Sequence, residues 1–200
     1  MFSPFKIFGI ATSSKEIFDL LKAWLAIAFA FAILGTGAKF GNNFYGVLLV
    51  TLLTVGLGFL LHELGHKLVA QRYGCLAEFR SYDTGLVLAI AMSFAGIILA
   101  SPGAVMIYGR INARKNGIIS AAGPLVNLAL AVFFVIMGIA AGNLGNKFVS
   151  YGISINSWLA LFNLIPYGPF DGKKIIDWSK RNYFILLALC IAMYVVSIIL

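Results

Sequence analysis

Two histidines and a glutamate stand together within one apolar stretch of the chain. His62, Glu63 and His66 form the pattern His-Glu-x-x-His, and these are the only two histidines in the 200 residues. Positions four apart on a helix share one face, so both imidazoles can bind a single Zn²⁺ ion. Glu63 points about 100° away from that face, where a general base can activate zinc-bound water. The pattern therefore predicts a zinc site in this helix.

A catalytic zinc site needs a third protein ligand, and with no further histidine the carboxylates are the main candidates. Three of them stand among basic residues and are expected to be solvent-exposed: Glu16, Asp19 and Asp177. Asp171 ranks first, because it follows an apolar run in a Pro/Gly-rich segment near the membrane interior. Asp83 and Glu78 remain alternatives. Helix capping is the competing interpretation of Asp171.

The composition makes lipid the expected solvent of this chain. Hydrophobic residues make up 61% and charged residues 11%, with a mean hydropathy of +0.96, whereas soluble domains are about a quarter charged. The net charge of +8 comes from short basic stretches between apolar runs, as the positive-inside rule places them. This distribution argues against a nucleic-acid partner. We expect an integral multi-pass protein of the cell membrane, in contact with the lipid bilayer.

Apolar runs long enough to cross a bilayer recur along the sequence. They predict an α-helical polytopic membrane protein with about five to six transmembrane helices. The runs expected to be helical are 20–38, Phe44–Tyr73, Ile118–Ala141, Phe148–Ile165 and 183–200. We expect a single membrane-embedded domain over residues 1–200, with a catalytic core of about 44–181.

The stretch from Leu86 to Tyr108 allows two arrangements, because Leu86–Ala100 either crosses the membrane or enters and returns. Three basic patches bear on the choice: 67–80, 110–115 and 173–181. Only a re-entrant stretch places all three in the cytoplasm. Ala104–Tyr108 has the pattern of a short strand. We therefore expect a short re-entrant or β-like segment here and an active site nearer the cytoplasmic face.

Three motifs in this order resemble the site-2 protease family of intramembrane zinc metalloproteases. They are His62-Glu-x-x-His66, Gly123-Pro-x-x-Asn127 and Asn163-x-x-Pro-x-x-x-x-Asp171-Gly172. The resemblance implies one zinc ion per chain, bound by His62, His66 and Asp171. It further implies that Glu63 activates water and that Asn163 binds substrate or stabilises the oxyanion. Asn127 either supports the pocket or makes an interhelical hydrogen bond.

The expected activity is that of a zinc metalloendopeptidase that hydrolyses peptide bonds within transmembrane segments of membrane-protein substrates. The substrate helix must unwind locally, and the segment from Leu86 to Tyr108 offers a strand edge for the unwound chain. The alternative is a zinc-binding membrane protein without proteolytic activity, either a transporter or an inactive scaffold. A transporter would spread polar groups over several helices or carry an inverted repeat, and an inactive scaffold would not need Glu63.

Overall fold

The computed structural model describes residues 5–98 and 102–200 of the chain, and helices dominate it. In chain order the elements are β1 (Phe5–Ile7), β2 (Ile10–Thr12), α1 (Ser14–Thr36), α2 (Asn42–Thr51), α3 (Leu57–Arg72), β3 (Leu76–Ser81), α4 (Asp83–Phe94), β4 (Gly103–Tyr108), α5 (Ala113–Ala140), α6 (Lys147–Asn163), α7 (Asp171–Trp178) and α8 (Lys180–Ile199). The predicted α-helical membrane class with a short β-like segment is confirmed.

Four helical stretches in the described residues are long and apolar enough to cross a membrane. They are Ser14–Thr36, Asn42–Arg72, Ala113–Ala140 and Lys180–Ile199. Together with the composition, they identify a membrane protein. The predicted span over Phe148–Ile165 is the 17-residue α6, which at about 26 Å is slightly shorter than the hydrocarbon core of about 30 Å.

The apolar stretch that follows β3 forms the short helix α4. It has 12 residues, or about 18 Å, which is too short to cross a bilayer. This length favours the re-entrant arrangement over a crossing. Residues 99–101, at the end of the predicted stretch, lie outside the described part of the chain.

The helix that carries the histidines runs continuously over Asn42–Arg72, as predicted, but its pitch changes midway. A π-helical turn, Leu52–Gly56, joins α2 to α3. The indole Nε1 of Trp24 donates a hydrogen bond to the Leu52 carbonyl oxygen at 3.0 Å. A Cβ on Gly56 would lie 2.5 Å from the same indole ring. Trp24 on α1 therefore packs closely against the π-helical turn, where the change of pitch alters the faces that α3 presents relative to α2.

Strands β3 and β4 form an antiparallel pair whose register runs from Leu76 opposite Tyr108 to Ser81 opposite Gly103. The strand predicted at Ala104–Tyr108 is confirmed. Its partner β3, Leu76–Ser81, is a strand that is not predicted from the sequence, since most of it falls in the basic patch 67–80. Ala77 and Phe79 are buried at alternate positions, which is the period of a strand with one face against the protein.

Glu16 is fully buried, so the prediction that it is solvent-exposed is wrong. Its Oε2 accepts hydrogen bonds from Lys67 Nζ at 2.5 Å and from the Thr12 hydroxyl at 2.7 Å. Its Oε1 accepts from the backbone N–H of Phe79 at 2.9 Å. A buried charge is tolerated when it is paired and hydrogen-bonded. The carboxylate thus joins β2, α1, α3 and β3.

Asp19 is the second carboxylate whose predicted exposure is wrong, and it is 5% exposed. Its Oδ1 accepts a hydrogen bond from the Ser81 hydroxyl at 3.0 Å, which adds another contact between α1 and β3. Asp177 is exposed, as predicted, and pairs with Lys173.

We expect Lys67→Met to destabilise the protein, because it leaves the buried Glu16 carboxylate without its cation. Removing one partner of a buried ion pair lowers the free energy of unfolding by about 3–5 kcal/mol. Thermal unfolding of the purified protein in detergent measures the loss. Lys15→Met is the matched control, since Lys15 is exposed on the same helix turn as Glu16. Equal losses in the two variants would contradict this role of the pair.

Candidate active site

His62, His66 and Asp171 meet inside the protein. The Nε2 atoms of the two histidines are 3.0 Å apart, and Asp171 Oδ2 lies 3.3 Å from the first and 3.0 Å from the second. All three residues are buried, and their ligand atoms lie within 4.8 Å of one another. Two imidazoles and a carboxylate are a donor set that suits zinc. The cluster is therefore close enough to hold one metal ion.

A tight turn after α6 brings Asp171 to the histidines. Gly172 packs against the backbone there, and a Cβ on it would collide with Leu164 and lie 2.7 Å from the Ile165 carbonyl oxygen. Asp171 opens α7, as the capping interpretation expects, but its side chain makes no capping hydrogen bond and the N-cap residue is Phe170. Its carboxylate contacts the two histidines instead.

The charge state of Asp171 suits a metal ligand. Burial by itself raises the pKa of the Asp171 carboxyl, but the neighbouring His66 and His62 outweigh this effect and hold the pKa well below its usual range. This direction favours the ionised carboxylate, which is the form that metal ligation requires.

The two other candidate ligands, Glu78 and Asp83, lie outside the cluster. Glu78 pairs with Arg80 on β3, and Asp83 pairs with Lys22 on α1. Among the described residues, the structure thus brings Asp171 to the histidines and leaves these two carboxylates at other contacts.

Each histidine is oriented by a carbonyl oxygen behind it. His62 Nδ1 lies 2.6 Å from Asn127 Oδ1, and His66 Nδ1 lies 2.8 Å from the Ile119 carbonyl oxygen. Because a carbonyl oxygen only accepts hydrogen bonds, both Nδ1 atoms carry the proton. In the neutral imidazoles, which are the form that binds a metal, both Nε2 atoms then carry a lone pair directed into the cluster.

Asn127 both supports the pocket and makes interhelical hydrogen bonds, the two roles that the sequence left open. Its side chain is fully buried, and its Nδ2 donates to the Gly58 carbonyl oxygen at 3.2 Å and to Asn156 Oδ1 at 3.1 Å. These interhelical bonds direct Oδ1 toward His62. Sequence reasoning missed Asn156, although a polar side chain in an apolar helix is itself a signal of function.

Gly123 allows α5 to approach the cluster. A Cβ built on it would collide with the His62 ring and lie 2.5 Å from His66 Nε2. Gly123, the first residue of the second motif, therefore faces the metal-binding atoms directly. Any side chain at this position would occupy space that the two imidazoles need.

A cavity of about 520 Å³ extends from the cluster and is mainly apolar in its lining. Glu63 and Asn163 both line it. Asn163 Nδ2 donates one hydrogen bond to the Leu159 carbonyl oxygen of its own helix at 3.0 Å. Residues Gly103–Val105 of β4 form part of another wall. The predicted base, the predicted oxyanion group and a strand thus border the same space.

Comparison with known proteins gives three relatives. The chain is 42% identical over 171 residues to the Methanocaldococcus jannaschii protein "Putative zinc metalloprotease MJ0611", over 84% of this chain and 86% of that protein. It is 29% identical to "Zinc metalloprotease MJ0392" of the same organism, over 86% of this chain and 43% of that protein. It is 32% identical to the Bacillus subtilis protein "Putative zinc metalloprotease YwhC", over 62% of this chain and 66% of that protein. No family model and no solved structure matches the chain.

These comparisons assign the chain to the zinc metalloproteases, and its donor set of two histidines and an aspartate fits that class. The first relative is matched over most of both chains. The chain therefore belongs to this zinc metalloprotease family, and zinc is its expected metal.

We expect Asn127→Leu to weaken zinc binding, because His62 Nδ1 loses its acceptor and the ring loses its fixed orientation. Loss of such a supporting hydrogen bond costs about 10–100-fold in metal affinity. Competition with a chromophoric chelator measures the zinc dissociation constant in detergent. Asn156→Leu is the graded control, since Asn156 contacts Asn127 but not the histidine, and its effect should be smaller. A larger loss in the Asn156 variant would contradict this order.

We expect Gly123→Ala to lower the zinc content of the purified protein, because the added methyl group overlaps both imidazole rings. Metal analysis by mass spectrometry measures the content. Gly46→Ala is the control, since a Cβ at Gly46 meets no atom within 4 Å. Full zinc content in the Gly123 variant would show that α5 does not pack against the metal-binding atoms as described.

Proposed function

We propose that this protein is an intramembrane metalloprotease of the site-2 protease type. It would cleave peptide bonds within transmembrane segments of membrane proteins, with one zinc ion held by His62, His66 and Asp171. The observation that carries the proposal is the position of the cluster within a membrane-spanning helix. His62 lies inside the 31-residue stretch Asn42–Arg72, about 15 Å from its C-terminal end.

The residues around the cluster support hydrolysis. Zinc, when bound, would polarise the scissile carbonyl and make a bound water more acidic. Glu63 would accept the proton of the attacking water and pass it to the leaving amine. Asn163 uses one Nδ2 hydrogen in its own helix, which leaves the second hydrogen to stabilise negative charge on the carbonyl oxygen. Together these groups supply a base, an acid and an oxyanion donor.

The position of β4 supports binding of an unwound substrate. A peptide bond within an intact helix is shielded, so cleavage requires a locally extended chain. An extended segment that pairs with β4 would run along the wall of the cavity beside Glu63. The partner in this proposal is therefore a membrane-spanning helix that unwinds at the site. The positive-inside rule orients the basic patches, and with them the site, toward the cytoplasm.

Cleavage of a generic transmembrane substrate by the purified protein in detergent tests this function. We expect Glu63→Gln to keep its zinc and to lower the cleavage rate by about 10²–10⁴-fold, since it removes the general base. Zinc in both proteins and cleavage by neither would favour the zinc-binding protein without proteolysis. Unchanged cleavage by the variant would remove Glu63 from the role of base.

Zinc content of Asp171→Ala tests the third ligand in the same preparation. We expect this variant to lose zinc. Asp177→Ala, six residues further along the chain and exposed, is the matched control and should keep it. Full zinc content after Asp171→Ala would contradict the proposed ligand set.

A further inference from the structure

One cation faces the metal-binding cluster from its outer side. Lys174 Nζ lies 3.7 Å from Asp171 Oδ1, while Oδ2 of the same carboxylate faces the histidines. Lys174 lies one helical turn after Asp171 on α7, and it lines the cavity that contains Glu63. Within the described chain, it is the single lysine or arginine that lines this cavity.

We propose that Lys174 is a positioning residue for Asp171. It holds Oδ1 outward, so that Oδ2 alone is directed at the metal-binding nitrogens. A carboxylate without such a partner rotates about its last bond and presents either oxygen or both. Partners behind metal ligands restrict this freedom and raise metal affinity. This inference rests on the proposed metal site and adds a residue that none of the three motifs contains.

The neighbouring Lys173 provides an internal comparison. It lies on the same helix and has the same charge, but its Nζ pairs with Asp177, at 2.7 Å from Oδ1 and 2.5 Å from Oδ2. That pair is exposed on both sides, with 47% and 55% of the two side chains accessible. Asp171, by contrast, has 9% of its side chain accessible. The two lysines are similarly accessible, at 47% and 42%, but Lys173 is hydrogen-bonded to an exposed carboxylate, whereas Lys174 makes a longer contact of 3.7 Å to a buried one.

The burial of the Asp171 carboxylate distinguishes a positioning role for Lys174 from an ordinary surface ion pair. An exposed ion pair one turn apart contributes little to stability, so neither lysine is expected to matter much for unfolding. A contact to the outer oxygen of a buried metal ligand has another effect, because rotation of that carboxylate changes which oxygen is directed at the metal-binding nitrogens. Metal affinity should therefore respond to Lys174 and not to Lys173.

The test compares the zinc dissociation constants of wild type, Lys174→Met, Lys174→Arg and Lys173→Met. Each is measured by chelator competition on the full-length protein in detergent. We expect Lys174→Met to weaken zinc binding by about 10–100-fold. We expect Lys174→Arg to restore an affinity close to wild type, because the guanidinium can contact Oδ1, and Lys173→Met to match wild type. Thermal unfolding of the zinc-free proteins should be the same in all four.

Two results would overturn the assignment. Unchanged zinc affinity in Lys174→Met would show that Asp171 needs no outer partner, whatever happens to cleavage. An equal loss in the Lys173 and Lys174 variants would assign the effect to the charge of the helix as a whole. Failure of the proposed function appears separately, as wild type that binds no zinc or that binds zinc without cleaving. The comparison among zinc-binding variants does not depend on cleavage.

Discussion

A polar group that lies within lipid must find its partner inside the protein, and the structure depends on this constraint. Across the described residues, no fully buried side-chain nitrogen or oxygen lacks a hydrogen-bond partner. The constraint explains why Asn127 and the Ile119 carbonyl lie beside the two histidines, because their oxygens accept hydrogen bonds from the two Nδ1–H groups. It also explains why the buried Lys67, next to His66, is paired with the buried Glu16. Each of these buried polar groups has a hydrogen-bonding partner, which makes its burial possible.

Helix α3 connects the metal site to the N-terminal part of the chain. One side of it directs His62 and His66 toward α5 and α7. Another side directs Lys67 toward Glu16 on α1 and Gln71 toward β2 and β3. Gln71 Nε2 donates to the Ala11 carbonyl oxygen at 2.8 Å, and the Ala11 N–H donates back to Gln71 Oε1 at 3.0 Å. Gln71 Nε2 also donates to the Ala77 carbonyl oxygen of β3 at 3.3 Å, which joins the β3–β4 pair to the helix that carries the histidines. A single helix thus positions both the two histidines and the strand wall of the cavity.

The candidate ligands that the structure brings together could be predicted from the sequence, because their signals are local or few in number. His62, Glu63 and His66 share one helix, and seven carboxylates left few partners for them, among which Asp171 stood out by its Pro/Gly-rich surroundings. The long helices followed from apolar length. The burial of Glu16 could not be predicted, because its partners Lys67 and Phe79 are distant in sequence. The π-helical turn contacts Trp24 from another helix, and no local pattern predicts it. Strand β3 did have a local signal, since the apolar Ala77 and Phe79 alternate with the charged Glu78 and Arg80. The charged residues led us to interpret the stretch as polar instead.

In the proposed site, side chains from two separate elements, α3 and α7, hold one zinc ion. X-ray absorption at the zinc edge of the purified protein tests it most directly, because the first coordination shell distinguishes nitrogen and oxygen ligands at about 2.0–2.1 Å from sulfur at about 2.3 Å. We predict a shell of nitrogen and oxygen with the signature of two imidazoles, and loss of one light-atom ligand or of the metal itself in Asp171→Ala. A sulfur contribution from Cys75 or Cys190, or an identical spectrum and zinc content in the variant, would rule out His62, His66 and Asp171 as the ligand set.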